Sequence, residues 1–309
     1  MYLLLGSSMD PCCGGVCEGL QARGLESRFI ESTFADRMRF FWRLDNDSSI
    51  SQVTLDGGER IGHNQIDGVL IRSAGWLDPA GWQLDDLSYA QTEAQAALIG
   101  WLWSLSCPVA GLMPASIWYR PGVPVTYWQP LLARCGLRAP EAMLTNVADE
   151  ARRFGDRFGV GAVYAPFSSP DRFLVNSDGD WRGIAALQAC APVCLVEPHG
   201  ATSLACVVGE RVVWDGMPPS GAKELGAGLS RFARSIGLNF VEFAIAEARD
   251  RACVVAVEPL PHFERFGELA RQEIVQSLVE FLTRGTKQMS ARTASAGKNR
   301  VGSLEGVES

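Results

Sequence analysis

Gly237-Leu238-Asn239-Phe240-Val241-Glu242-Phe243-Ala244-Ile245, a short polar interval, and then Val254-Val255-Ala256-Val257-Glu258-Pro259-Leu260-Pro261-His262-Phe263 is the stretch whose reading decides the fold. Both halves are runs of branched and aromatic residues of strand length, so they predict two strands joined by a turn. Side chains alternate along a strand, which places Glu242 and Ala244 on the same face. Helices are expected on either side, from Leu225 to Ile236 and from Phe266 to Leu282.

Working back along the chain, three more segments stand in a fixed order. They are Val163-Tyr164-Ala165-Pro166, the phrase Leu195-Val196-Glu197-Pro198-His199-Gly200, and the strand Ala205-Cys206-Val207-Val208-Gly209-Glu210-Arg211-Val212-Val213. In order and spacing, these segments and the terminal pair resemble the ATP-grasp superfamily of carboxylate-amine ligases, from about Met1 to Gly285. The resemblance implies a mixed α/β and α+β chain. A Rossmann-like pre-ATP-grasp domain would occupy residues 1–112, and a two-subdomain ATP-grasp-like core residues 113–285, with a lid subdomain at about 145–200.

The same resemblance locates where the chemistry should sit, and there the residues depart from it. The family holds magnesium on the ATP phosphates with acidic and amide side chains of the terminal strands; the matching positions here are Ala244, Ala256 and Glu258. Its Val-Lys-Pro lysine becomes Ala165, and a second phosphate lysine falls near Val125, upstream of the phrase ending at Glu141. The aspartate and arginine of the strand after the hinge become Thr202 and Leu204. Magnesium needs hard oxygen ligands, and phosphoryl transfer needs cations placed around the developing charge, so these replacements remove most of the machinery. The expectation is a degenerate ligase-like protein, non-catalytic or accessory, without a cofactor or metal, acting through a protein partner or an acidic peptide or metabolite. The alternative is a working ligase that uses ATP and magnesium with Lys223, Glu242, Glu258 and arginines in new roles. The candidate cleft comprises Ala165, Glu197, His199, Leu204, Lys223, Glu242, Ala244, Ala256, Glu258 and His262.

Composition limits the partners. The 309 residues carry 28 basic and 35 acidic side chains, a formal net charge of −7, and the arginines form no stripe, which argues against nucleic acid or an anionic membrane as the main partner. Only Lys223, Lys287 and Lys298 are lysines. The opening Met-Tyr-Leu-Leu-Leu-Gly has no basic segment and stops being apolar too soon for a signal or spanning helix, so it reads as a buried strand. Nine cysteines without an export signal suggest reduced thiols in a cytoplasm. Cys12, Cys13 and Cys17 match no zinc spacing and are read as core. No Gly-x-Gly-x-x-Gly follows the first strand, which disfavours a dinucleotide-dependent oxidoreductase.

Between these points a helix is expected from Cys12 to Gly24, a hairpin from Gln52 to Ile61, a strand from Ile66 to Arg72 and a long helix from Leu84 to Ser106. From residue 286 the apolar periodicity stops, and a disordered tail is expected. Trp101 and Trp103 lie two apart on the long helix and therefore point to different faces. They are the interface candidates for a protein partner, whether an intact ATP-grasp paralogue, a peptide or a second copy of the chain.

Overall fold

The computed structural model describes residues 1–31, 38–46, 49–55, 57–73, 75, 77–118, 125–166, 172–248 and 251–284. The expected tail lies outside these residues. The described chain divides into two compact units, Met1–Leu112 together with the segment from Arg271 onward, and Met113–Ala270.

The first unit begins with β1 (Tyr2–Leu5), α1 (Pro11–Gln21) and β2 (Ser27–Ile30). It continues with β3 (Met38–Leu44), β4 (Ser49–Leu55), β5 (Arg60–Gly62), β6 (Gly68–Ile71), α2 (Leu84–Ser104) and β7 (Val109–Ala110). Four strands make a parallel sheet in the order β2-β1-β6-β7. Leu3, Leu4, Leu5, Val69 and Leu70 have no exposed surface, as expected of parallel strands covered on both faces. Asp10 caps α1 by accepting from the Cys12 and Cys13 N–H groups at 2.7 and 3.3 Å, and its other oxygen meets Arg72 Nε at 3.1 Å. Cys12 and Cys13 are core residues, and burial pushes the Cys13 thiol up to about 12. Gly15 and Gly19 let the C-terminal helix (Glu268–Leu282) approach: a Cβ at either would sit 2.8–2.9 Å from a methyl of Val275 or Val279. Val275 and Val279 of that helix therefore pack directly against α1.

The hairpin expected over Gln52–Ile61 is a three-stranded antiparallel sheet, β3-β4-β5. The added strand β3 is held by aromatic packing on α2: the Trp42 ring lies against Gly100, and Phe40 meets Trp101 edge to face at 5.8 Å. Trp101 is fully buried and donates its indole N–H to Ser51 Oγ at 2.9 Å, so it is a core residue and not an interface anchor. Trp103 is 55% exposed. Two residues on a helix of period 3.6 are about 200° apart, so the pair points to opposite sides of α2.

The second unit contains α3 (Ala115–Trp118), α4 (Val125–Arg134), β8 (Ala142–Thr145), α5 (Ala148–Asp156), β9 (Ala162–Tyr164), β10 (Phe173–Val175) and α6 (Asp178–Gln188). It goes on through β11 (Val193–Val196), β12 (Thr202–Val208), β13 (Arg211–Trp214), α7 (Ala222–Ser235), β14 (Phe240–Ala248) and β15 (Arg251–Glu258) to the start of the C-terminal helix, α8. Two four-stranded antiparallel sheets result, β10-β9-β11-β8 and β13-β12-β14-β15. Two glycines weaken the helical pattern of α6, but Ser177 and Asp180 close a capping box that starts the helix. Among the described residues, no helix is long and apolar enough to cross a membrane.

Candidate functional site

Each sheet of the second unit gives one face to its helices and keeps the other for the candidate site. On the β13-β12-β14-β15 sheet, Ala205, Val207, Val241, Phe243, Ile245, Val254 and Val257 pack with Trp128 and Leu132 of α4 and Leu229, Phe232 and Ala233 of α7. Alternation sends Leu204, Cys206, Glu242, Ala244, Ala256 and Glu258 to the opposite face. The pairing register then aligns them: Leu204 lies opposite Ala244, which lies opposite Ala256, and in the next row Cys206 lies opposite Glu242, opposite Glu258. Three positions read separately from the sequence are thus one apolar row across three strands.

Glu242 has no exposed surface. Its carboxylate is held from two directions, by Arg265 Nη1 at 2.7 Å and by the His262 backbone N–H, also at 2.7 Å, with His262 Nδ1 3.7 Å away. Burial pushes the neighbouring Glu258 carboxyl above its ordinary value, and the charge of Glu242 adds to the rise, while His262, Arg265 and Arg172 oppose it. A carboxyl whose folded pKa is raised favours the protonated fold. Stability is therefore fullest below the unfolded value near 4.5 and falls as pH climbs from there through the raised folded value. Glu258→Gln should accordingly be more stable than the parent at pH 7, with the difference shrinking as pH is lowered toward 4.5. Urea denaturation at the two pH values checks this, and a variant less stable at pH 7 would contradict it.

On the β10-β9-β11-β8 sheet, Ala151, Phe154, Trp181 and Ile184 of α5 and α6 cover one face with Ala162, Val193 and Leu195. The other face carries Ala165, Cys194 and Val196, with Ala142 and Val163 beside them. Ala165 is buried and its N–H donates to the Cys194 carbonyl at 2.9 Å. Burial pushes the Cys194 thiol up, and Arg172 opposes that rise as it does at Glu258.

The hinge joins the same two sheets. Glu197, just past β11, is buried; its N–H donates to the Glu141 carbonyl at 2.7 Å and its Oε2 accepts from the Glu141 N–H at 3.1 Å. Its charge raises the Cys253 thiol on β15, after the larger effect of burial, and Arg138, whose carbonyl accepts from Val254 N–H at 2.8 Å, opposes it. His199 is half-buried in the hinge, with Nδ1 3.0 Å from the Gly200 carbonyl. Lys223 is placed elsewhere: it is exposed on α7, the helix that packs on the other face of the sheet, beside Glu210, Trp214 and Arg234. Arg265 is the cation whose guanidinium the structure places against this row, and no spacing in the sequence marks it.

Both Glu242 oxygens already accept from Arg265 and His262, Ala244 and Ala256 offer methyl groups, and among the described residues no three His, Cys, Asp or Glu side chains converge on a point.

No protein-family model matches the sequence, and no curated protein matches it. Solved structures do. The macrocyclase MdnC bound with precursor peptide MdnA from Microcystis aeruginosa MRC superposes with a TM-score of 0.71 at 18% identity, covering 91% of this chain and 98% of that one. The ATP-grasp ligase PsnB complexed with minimal precursor, Mg and ADP gives 0.70 at 20% identity, covering 92% and 98%. A RimK domain ATP-grasp protein from Sphaerobacter thermophilus DSM 20745 gives 0.55 at 15% identity, covering 91% and 99%. Two antiparallel four-stranded sheets, together with these superpositions over nine-tenths of the chain, define the ATP-grasp fold.

Proposed function

We propose that this chain is an accessory, non-catalytic protein of the ATP-grasp fold that works by binding a peptide segment of another protein. The observation that carries the reading is the row Leu204-Ala244-Ala256 beside a Glu242 already neutralised by Arg265. A phosphate-facing cation contributes on the order of 1.5–3 kcal/mol through charge-assisted bonds, and here a leucine and an alanine occupy the positions that the resemblance gives to an arginine and a lysine. The peptide partner is supported by fold neighbours whose structures contain precursor peptides.

A second reading, a working ligase, is favoured by a neighbour whose structure holds Mg and ADP. In that reaction a substrate carboxylate attacks the terminal phosphorus of ATP, ADP leaves, and an amine displaces phosphate from the acyl phosphate. Calorimetry with ATP, with and without magnesium, separates the two. The accessory reading expects a dissociation constant weaker than about 100 μM, about −5.5 kcal/mol of binding, and little change on adding magnesium. A micromolar, magnesium-dependent complex would establish the second reading in its place.

A further inference from the structure

The β3-β4-β5 sheet turns one face to α2 and leaves the other without a covering element among the described residues. Residues directly opposite across an antiparallel pair share a face. Arg39 pairs with Thr54, Phe41 with Gln52, Arg43 with Ile50, and Thr54 in turn with Arg60. Arg39, Arg43 and Arg60 therefore share the outer face with Phe41 and Ile50, opposite to the face on which Phe40 and Trp42 meet α2. The three arginines are exposed, Phe41 is 57% exposed and Ile50 39%. None of the three guanidiniums has an ion pair or hydrogen bond in the described structure. In a chain with a formal net charge of −7, this is a local field of the opposite sign. β3 is also an edge strand, bonded to β4 on one side only among the described strands.

An open edge accepts another extended chain through its backbone groups, and the side chains beside it decide which. Three unpaired guanidiniums favour carboxylates, which arginine binds with a bidentate fork. Phe41 and Ile50 supply the apolar contact that such an edge needs to hold a side chain. A second copy stacked face to face would bring two sets of three arginines together, which like-charge repulsion opposes. We propose that this face docks an extended, acidic segment of a partner protein, its carboxylates on Arg39, Arg43 and Arg60 and its apolar residues on Phe41 and Ile50. The proposal does not depend on what the cleft binds.

The test uses the full chain and two fluorescein-labelled peptides of about eight residues, one alternating glutamate with valine and one alternating lysine with valine, read by fluorescence anisotropy. The glutamate peptide should bind and the lysine peptide should not. Arg39→Glu with Arg43→Glu should weaken the glutamate peptide by about tenfold or more, and raising salt should weaken it in the parent chain. Arg60→Gln and Phe41→Ser, single changes at exposed positions, should each weaken it several-fold with an unchanged circular dichroism spectrum. These two keep the test decisive if the double reversal disturbs folding. Equal binding of both peptides, no binding of the glutamate peptide, or an affinity indifferent to all of these variants would overturn the proposal. So would a dimer in sedimentation that Arg60→Gln dissociates, which assigns the face to a second copy, or phosphatidylserine vesicles bound in preference to the peptide.

Discussion

Replacing Arg265 by methionine should cost about 3 kcal/mol of unfolding free energy, because it leaves the Glu242 carboxylate buried with one of its two partners gone. Glu242 has no exposed surface, its Oε1 accepts from Arg265 at 2.7 Å, and its Oε2 keeps only the His262 N–H. Breaking a buried pair by removing one side typically costs about 3–5 kcal/mol. The lower end applies here, since Arg265 is half-exposed and water can reach part of the vacated space. Glu242→Leu combined with Arg265→Met should recover most of the loss, since removing both charges removes the need for compensation. Urea denaturation of the three chains checks this. A loss below about 1 kcal/mol in the single variant would mean that Arg265 is not what neutralises Glu242. Millimolar magnesium should leave the Arg265→Met curve unchanged. Recovery on adding it would show that Glu242 can serve a cation after all, and would favour the working-ligase reading.

That pair also marks the limit of what the residues disclose in advance. The two terminal strands were legible because branched and aromatic runs of strand length leave few alternatives, and Glu242 and Ala244 were assigned to one face by alternation alone. The sequence could not show that Leu204, Ala244 and Ala256 line up across three strands. Register belongs to the pairing of separate segments, 40 residues apart for Leu204 and Ala244 and 12 for Ala244 and Ala256, and a bulge between Ala244 and Ile245 resets it within the last pair. Arg265 was invisible for a different reason. It lies beyond the second strand, in a short turn of helix at Phe263–Arg265, and only the folding of that turn back over the sheet brings its guanidinium to Glu242. Lys223 illustrates the opposite error: its rarity made it prominent in the sequence, yet α7 carries it on the far face of the sheet.

The same contrast between pattern and packing governs the last prediction, which concerns two tryptophans separated by one residue. Trp101→Ala should destabilise the first unit by about 4 kcal/mol, within the range for deleting a buried aromatic ring. The ring is wholly enclosed, meets Phe40 edge to face, and satisfies Ser51 Oγ through its indole N–H, so its loss opens a cavity and leaves the buried hydroxyl without that donor. Trp103→Ala should change stability by less than about 0.5 kcal/mol, because more than half of the side chain already faces water. Its cost should appear in binding. An exposed tryptophan on a rigid helix is the kind of anchor that carries about 2 kcal/mol or more in a protein interface. Chemical denaturation of both variants, followed by pull-down of the partner with the Trp103 variant, separates the two roles. Near-parental stability of Trp101→Ala would contradict the packing described for α2 and β3. Undiminished partner capture by Trp103→Ala would remove that residue from the docking surface and leave the arginine-bearing sheet face as the place to look.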